Sequence, residues 1–213
     1  MTASKKAFWA IAVILLILLT DQVLKIWIKT HFVLGEDVAI TNWFHIRFIE
    51  NKGMAMGIEI FGKLFLTIFR IVASCAIAYY IYMLVQSKFK LSYIILVSMI
   101  FAGAVGNIID SVFYGVIFSE STPMDVAVLF PPEGGYGGWL HGKVVDMFYF
   151  PLFSFTWPTW IPWIGGSDFE FFRYIFNLAD AFISVGIVVL LLFFRKTLSL
   201  SFENREVEKK VEA

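Results

Sequence analysis

The chain has 213 residues, of which 59% are hydrophobic, 18% aromatic and only 16% charged, against about 25% charged in soluble domains; its mean hydropathy is +0.78. Its 17 basic and 17 acidic residues cancel, so no global charge points to a polyanionic partner, and the composition excludes nucleic-acid binding, disorder and an ordinary soluble enzyme. The single cysteine, Cys75, excludes an internal disulfide framework and a Cys-rich metal site; inside an apolar run it reads as a small buried hydrophobe.

A helix needs about 20 mostly apolar residues to cross a bilayer. The first such segment runs from about 7 to 28, with Asp21 and Lys25 late in it. Lys5 and Lys6 precede it as they would a signal peptide, but no small-x-small cleavage site follows, so it reads as a retained helix. A loop of about 29–63 comes next. In it Phe44, Ile46 and Phe48 alternate with His45 and Arg47, a strand pattern, before a turn at Asn51-Lys52-Gly53. The second span is about 64–86, with Arg70 near its start, and the third about 91–118, with Asp110 in its second half.

The long connection of about 119–173 contains a turn- and Gly-rich segment, Pro131 to Gly138, expected to be a flexible insertion. A β-prone run, His141 to Phe150, is interrupted by Asp146. Trp157, Trp160 and Trp163 then alternate with prolines, as suits a membrane–water interface. The fourth span is about 174–194, with Asp180 near its start, and a mixed-charge tail of 195–213 follows. The chain reads as one integral membrane domain, all-α in its four spans, with a small extracytoplasmic β-rich platform and interfacial insertions. Lys5, Lys6, Lys88, Lys90, Arg195 and Lys196 crowd one side, which places both termini in the cytoplasm and both long loops outside.

In that orientation Asp21, Lys25, Arg70, Asp110 and Asp180 all fall in the outer half of the membrane. Charges there are costly unless paired or facing a wet cavity, so a polar pocket opening outward is expected. Asn107 precedes Asp110 by three residues, and Asn177 precedes Asp180 by three; each Asn shares a helix face with its Asp and can hydrogen-bond it. His31, His45 and His141 lack metal-ligand spacing. Asp146 and Asp180 are the carboxylates best placed for reaction. Two adjacent carboxylates cannot both ionise easily, so one can draw a proton from water while the other polarises a carbonyl. Proton-relay carboxylates of a small proton or ion transporter, or ion pairs in a structural scaffold, share this pattern. The almost wholly apolar inner halves speak against the relay.

Five segments, in order, resemble the lipoprotein signal peptidase (signal peptidase II) family: Asp21-Gln22-Val23-Leu24-Lys25, Asn51-Lys52-Gly53-Met54-Ala55-Met56-Gly57, Gly103 to Asp110, Val144-Val145-Asp146-Met147, and Phe176-Asn177-Leu178-Ala179-Asp180. The resemblance implies an aspartic endopeptidase of the bacterial inner membrane. It would cut diacylglyceryl-modified prolipoproteins before the lipidated cysteine, at the outer leaflet, without metal or other cofactor and open to globomycin-like inhibitors. It implies that Asp146 and Asp180 are the catalytic pair and that Asn51 and Gly53 line the substrate site. Gly106, Asn107, Asp110 and Asn177 would support that site, while Asp21 and Lys25 steady the first helix. The chain departs from the family pattern at Ser111, where the resemblance implies an Arg, whose role is either lost here or supplied by another residue such as Lys143 or Arg70. Met56 and Met147 replace Phe, and the stretches 111–143 and 151–173 look like insertions.

Overall fold

The computed structural model describes residues 1–51 and 63–211, with side chains as far as Glu203. In chain order they form α1 (Ala3–His31), β1 (Asp37–Thr41), β2 (Phe44–Asn51), α2 (Lys63–Gln86) and α3 (Leu91–Ile109). Next come a π-helical turn (Asp110–Tyr114), a last turn α4 (Gly115–Ile117), and the strands β3 (Val144–Tyr149), β4 (Phe153–Thr156), β5 (Asp168–Phe171) and β6 (Ile175–Phe176). The helices α5 (Leu178–Phe193) and α6 (Arg195–Val211) complete the chain.

Three stretches, Ala3–His31, Lys63–Gln86 and Leu91–Ile117, are long and apolar enough to cross a membrane. A fourth qualifies if α5 and the start of α6, which bend by 84° at Phe194, are taken together. Phe8, Leu16, Leu19 and Val23 on α1, and Phe69 and Val72 on α2, point outward. An apolar surface that size is a liability in water and matches a hydrocarbon surround. Cys75 also lies exposed on α2, not buried as expected, because the outer face of a lipid-facing helix is as apolar as a core. The fourth helix starts at Leu178, not near Tyr174, because Ile175 and Phe176 pair with β3. Asp180 is therefore in its first turn, where the helix dipole favours a carboxylate.

The chain resolves into two compact units. The first comprises Met1–Asp21, Ile68–Ile108 and Ala179–Ala213. In it Ala10, Leu84, Tyr93, Ile94 and Val97 form a buried core. Small residues let α3 and α5 meet closely: a Cβ at Gly103 would run into the Ala179 carbonyl, and one at Gly186 would lie 2.5 Å from Ile100 Cγ1.

The second unit comprises Gln22–Thr67 and Ile109–Leu178. Its four-stranded sheet has the order β1-β2-β3-β6, and β4 and β5 form a separate hairpin. Ile28, Phe48, Tyr114, Phe118, Val145 and Met147 form its core. The glycine-rich stretch, expected to be a flexible insertion, is bonded to the end of the third helix. The N–H groups of Tyr136, Gly137, Leu140 and Gly142 donate to the carbonyls of Phe118 (2.9 Å), Gly115 (2.8 Å), Val112 (3.2 Å) and Ser111 (2.9 Å). Of these, Gly115 lies in the last turn, whose carbonyls a helix end leaves without intrahelical partners. Glycine is required at 142, where a Cβ would strike the Asp110 carbonyl and lie 3.0 Å from the Gly115 and Tyr114 nitrogens.

Candidate functional site

Asp146 sits mid-strand in β3, and β2 is its neighbour. Ile46 pairs with Phe148 and Ile49 with Asp146, so β2 carries one extra residue between them. Such a bulge shifts the alternation of side chains by one. Before it, Ile46 shares the face of Phe148. After it, Ile49 and Asn51, opposite Asp146 and Val144, lie on the face of Asp146. Phe48 and Glu50 turn to the opposite, core face. Asn51 and Asp146, both anticipated in the site, thus share one face of the sheet. Asp146 is buried, and its Oδ1 accepts a 2.7 Å bond from Asn177 Nδ2.

The backbone of β3 is fixed from behind. The fully buried Asp110 accepts from Gln22 Nε2 at 3.0 Å through Oδ1 and from the Val145 N–H at 3.2 Å through Oδ2. Lys25 Nζ lies 2.9 Å from that Oδ2. Asp110 opens the π-helical turn, an irregularity common at functional sites. Ser111, where the family pattern has Arg, is buried in the same turn.

A cluster not anticipated from the sequence lies on the core face. Lys29 is paired with Glu50 and donates to Ser121 Oγ at 2.8 Å. Lys143 Nζ lies 2.9 Å from Glu50 Oε2 and 3.3 Å from Glu120 Oε1. Both ammonium groups lie 5.0 Å from the centre of the Tyr136 ring, close enough for cation–π attraction. Burial alone would raise the Glu50 carboxyl, but Lys29 and Lys143 outweigh it and hold it below its ordinary value. Burial likewise lowers Lys143, yet Glu50 and Glu120 hold it above its ordinary value. The one signal in the sequence was spacing: Asp21, Lys25 and Lys29 recur every four residues along α1 and so share a helix face.

In the first unit, Asp180 Oδ1 accepts a 2.7 Å bond from Asn107 Nδ2. Asp21 Oδ1 accepts the Ala179 N–H at 2.9 Å, a buried carboxylate at the start of α5. Gly106 makes room for it: a Cβ there would lie 2.8 Å from Asp21 Oδ2. Two amide–carboxylate bonds thus run between elements, Asn107 to Asp180 and Asn177 to Asp146. Gly53 lies outside the described residues. Among those described, no group of three or more His, Cys, Asp or Glu could hold a metal ion.

The apolar, membrane-length helices define a multi-pass membrane protein, and two of its carboxylates, Asp146 on a strand and Asp180 on a helix, are each held by an asparagine amide. Residues 13–196 match the family model described as Signal peptidase (SPase) II, and the chain belongs to that family of peptidases. It is 50% identical over 196 residues to the lipoprotein signal peptidase of Porphyromonas gingivalis, covering 92% of this chain and 86% of that one. It is 35% identical to the lipoprotein signal peptidase of Amoebophilus asiaticus, covering 89% and 78%. Two solved bacterial membrane enzymes share its fold, each with a TM-score of 0.58. One, at 2.3 Å resolution, is 22% identical and covers 88% of each chain; the other, at 1.9 Å, is 24% identical and covers 86% of this chain and 90% of that one.

Proposed function

We propose that this chain removes the signal peptide from diacylglyceryl-modified prolipoproteins, cutting before the lipidated cysteine, with Asp146 and Asp180 as its catalytic carboxylates. The observation that carries this reading is the 50% identity to a lipoprotein signal peptidase over 92% of the chain. The geometry supports the assignment of residues. Each Asp is held by an asparagine amide at 2.7 Å, and Asn177, which holds Asp146, precedes Asp180 by three residues.

The ionised carboxylate of the pair takes a proton from water as the water oxygen attacks the scissile carbonyl carbon. The protonated one gives its proton to the carbonyl oxygen. Collapse of the tetrahedral species breaks the C–N bond: the cysteine amine leaves with the proton taken from water, and the new carboxylic acid returns the other proton to the carboxylate that gave it. Asn107 and Asn177 orient the pair. Asn51 and Gly53 line the substrate site, while Asp21, Lys25, Gly106 and Asp110 keep the strand and helix ends in place.

The chain works as one integral domain with four spans and both termini in the cytoplasm. Its sheet lies at the outer leaflet and the Trp157–Trp163 turn at the lipid interface, as the basic residues and tryptophans favour. Globomycin-like peptides are expected to compete with substrate. The test is cleavage of a lipidated prolipoprotein by purified enzyme. Asp146→Asn and Asp180→Asn should each abolish the product, and Asn107→Ala and Asn177→Ala should lower kcat about tenfold or more. Wild-type turnover by either Asp variant would refute the assignment.

A further inference from the structure

Trp43, Phe44, Phe148, Phe150, Phe172 and Phe176 form a continuous ledge in the second unit. Phe44 stacks on Phe150 with centroids 5.0 Å apart, and Phe150 on Phe176 at 5.7 Å. Phe148 meets Phe176 edge-on at 5.9 Å. Trp43 closes one end, 6.1 Å from Phe150, and Phe172 the other, 6.0 Å from Phe176. These rings are not core: Trp43 is 54% exposed and Phe172 44%, and the other four are half-buried. Phe172 is held at φ +64°, a region that bulky side chains avoid, with its ring against Phe150 and Phe176. The chemistry of the carboxylates uses none of them.

Their placement on the sheet says what they meet. Side chains two apart on a strand share a face, so Phe148 lies on the face of Asp146. Phe176 pairs directly with Phe148. The ledge therefore begins one strand repeat, about 7 Å, from Asp146. In a prolipoprotein the sulfur that carries the lipid lies within about 5 Å of the scissile carbonyl carbon, across a few covalent bonds. A substrate positioned for attack beside Asp146 must send its lipid off within one such repeat. The ledge contributes no charged side chain.

We propose that this aromatic ledge is the binding site for the diacylglyceryl group of the substrate's cysteine, and so the source of selectivity for lipidated precursors. The proposal rests on the function inferred above. It is tested with two prolipoproteins that differ only in acyl length, long or short, assayed in the same lipid so that effects through the bulk bilayer fall on both alike. Trp43→Ser and Phe172→Ser should each lower the long-to-short ratio of kcat/KM about fivefold, and together about twenty-fold, chiefly through KM. Trp43→Leu and Phe172→Leu keep an apolar surface and should retain most of the ratio, which separates loss of the ledge from loss of the fold.

An unchanged ratio in serine variants that still cleave would overturn the proposal and leave the peptidase reading standing. So would variants whose discrimination shifts with the residues after the cysteine instead of with acyl length, since the ledge would then hold peptide. Wild-type enzyme that cuts neither substrate would refute the parent reading itself.

Discussion

Replacing Lys25 by methionine keeps the length of the side chain and removes its charge. Lys25 Nζ lies 2.9 Å from Asp110 Oδ2, and both side chains are fully buried. At that separation the Coulomb attraction is roughly 6 kcal/mol at an effective dielectric constant of about 20. Much of it is offset by the cost of dehydrating both ions. Removing one partner forfeits the attraction but leaves the other ion dehydrated, so Lys25→Met should cost about 3–5 kcal/mol. Lys25→Met with Asp110→Asn leaves no buried charge, and an amide oxygen can still accept from the Val145 N–H. Asp110→Asn alone strands the Lys25 ammonium in the same way and should cost as much, while the double variant should lie within about 1–2 kcal/mol of wild type, so the coupling between the sites should be at least about 4 kcal/mol. Reversible unfolding of the four proteins in mixed detergent micelles reads the cycle. A single variant costing under about 1 kcal/mol, or a double variant as unstable as the two singles summed, would refute the reasoning.

Glu50 is held below its ordinary 4.5, so its stabilising contribution is complete above about that pH and is lost as pH falls through the lower folded value. Lys143 is held above its ordinary 10.5, so its contribution is complete below that pH and is lost as pH rises through the higher folded value. Glu50→Gln should flatten the acid limb of a thermal-unfolding profile and shrink the alkaline one. Gly142→Ala should cost about 2–3 kcal/mol in the same unfolding assay, because its methyl group must push the Gly-rich stretch off the π-helical turn. Gly106→Ala puts a methyl group where Asp21 accepts from Ala179, so kcat for prolipoprotein cleavage should fall about tenfold or more.

Much of the architecture was legible because a membrane helix announces itself locally, as a long run without charges. The apolar stretches became α1, α2, α3 and α5, and the alternation around Phe44 became β2. The start of the fourth helix was not legible, since Ile175 and Phe176 are as apolar as a first helical turn and only their pairing with β3 makes them a strand. The β4–β5 hairpin was hidden behind its tryptophans and prolines, although Phe153 and Phe155, and Phe169 and Phe171, do alternate with polar residues. The docked glycine segment and the Lys29–Glu50–Lys143 cluster depend on contacts between distant parts of the chain, for which no local pattern exists.

The bulge in β2 shows most sharply why motif residues could be named before their arrangement could. Phe44, Ile46 and Phe48 alternate in sequence as if one face held all three. An unbroken strand would put Phe48 and Glu50 on the face of Asp146 and turn Asn51 away from it. The extra residue between Ile46 and Ile49 reverses both. Phe48 enters the core, Glu50 reaches Lys29 and Lys143, and Ile49 and Asn51 come to the side of Asp146. A single strand can therefore serve a buried ionic anchor on one face and the side of Asp146, proposed above as catalytic, on the other only because its register slips between them. That slip is a property of the pairing with β3, and no alternation within residues 44–51 encodes it.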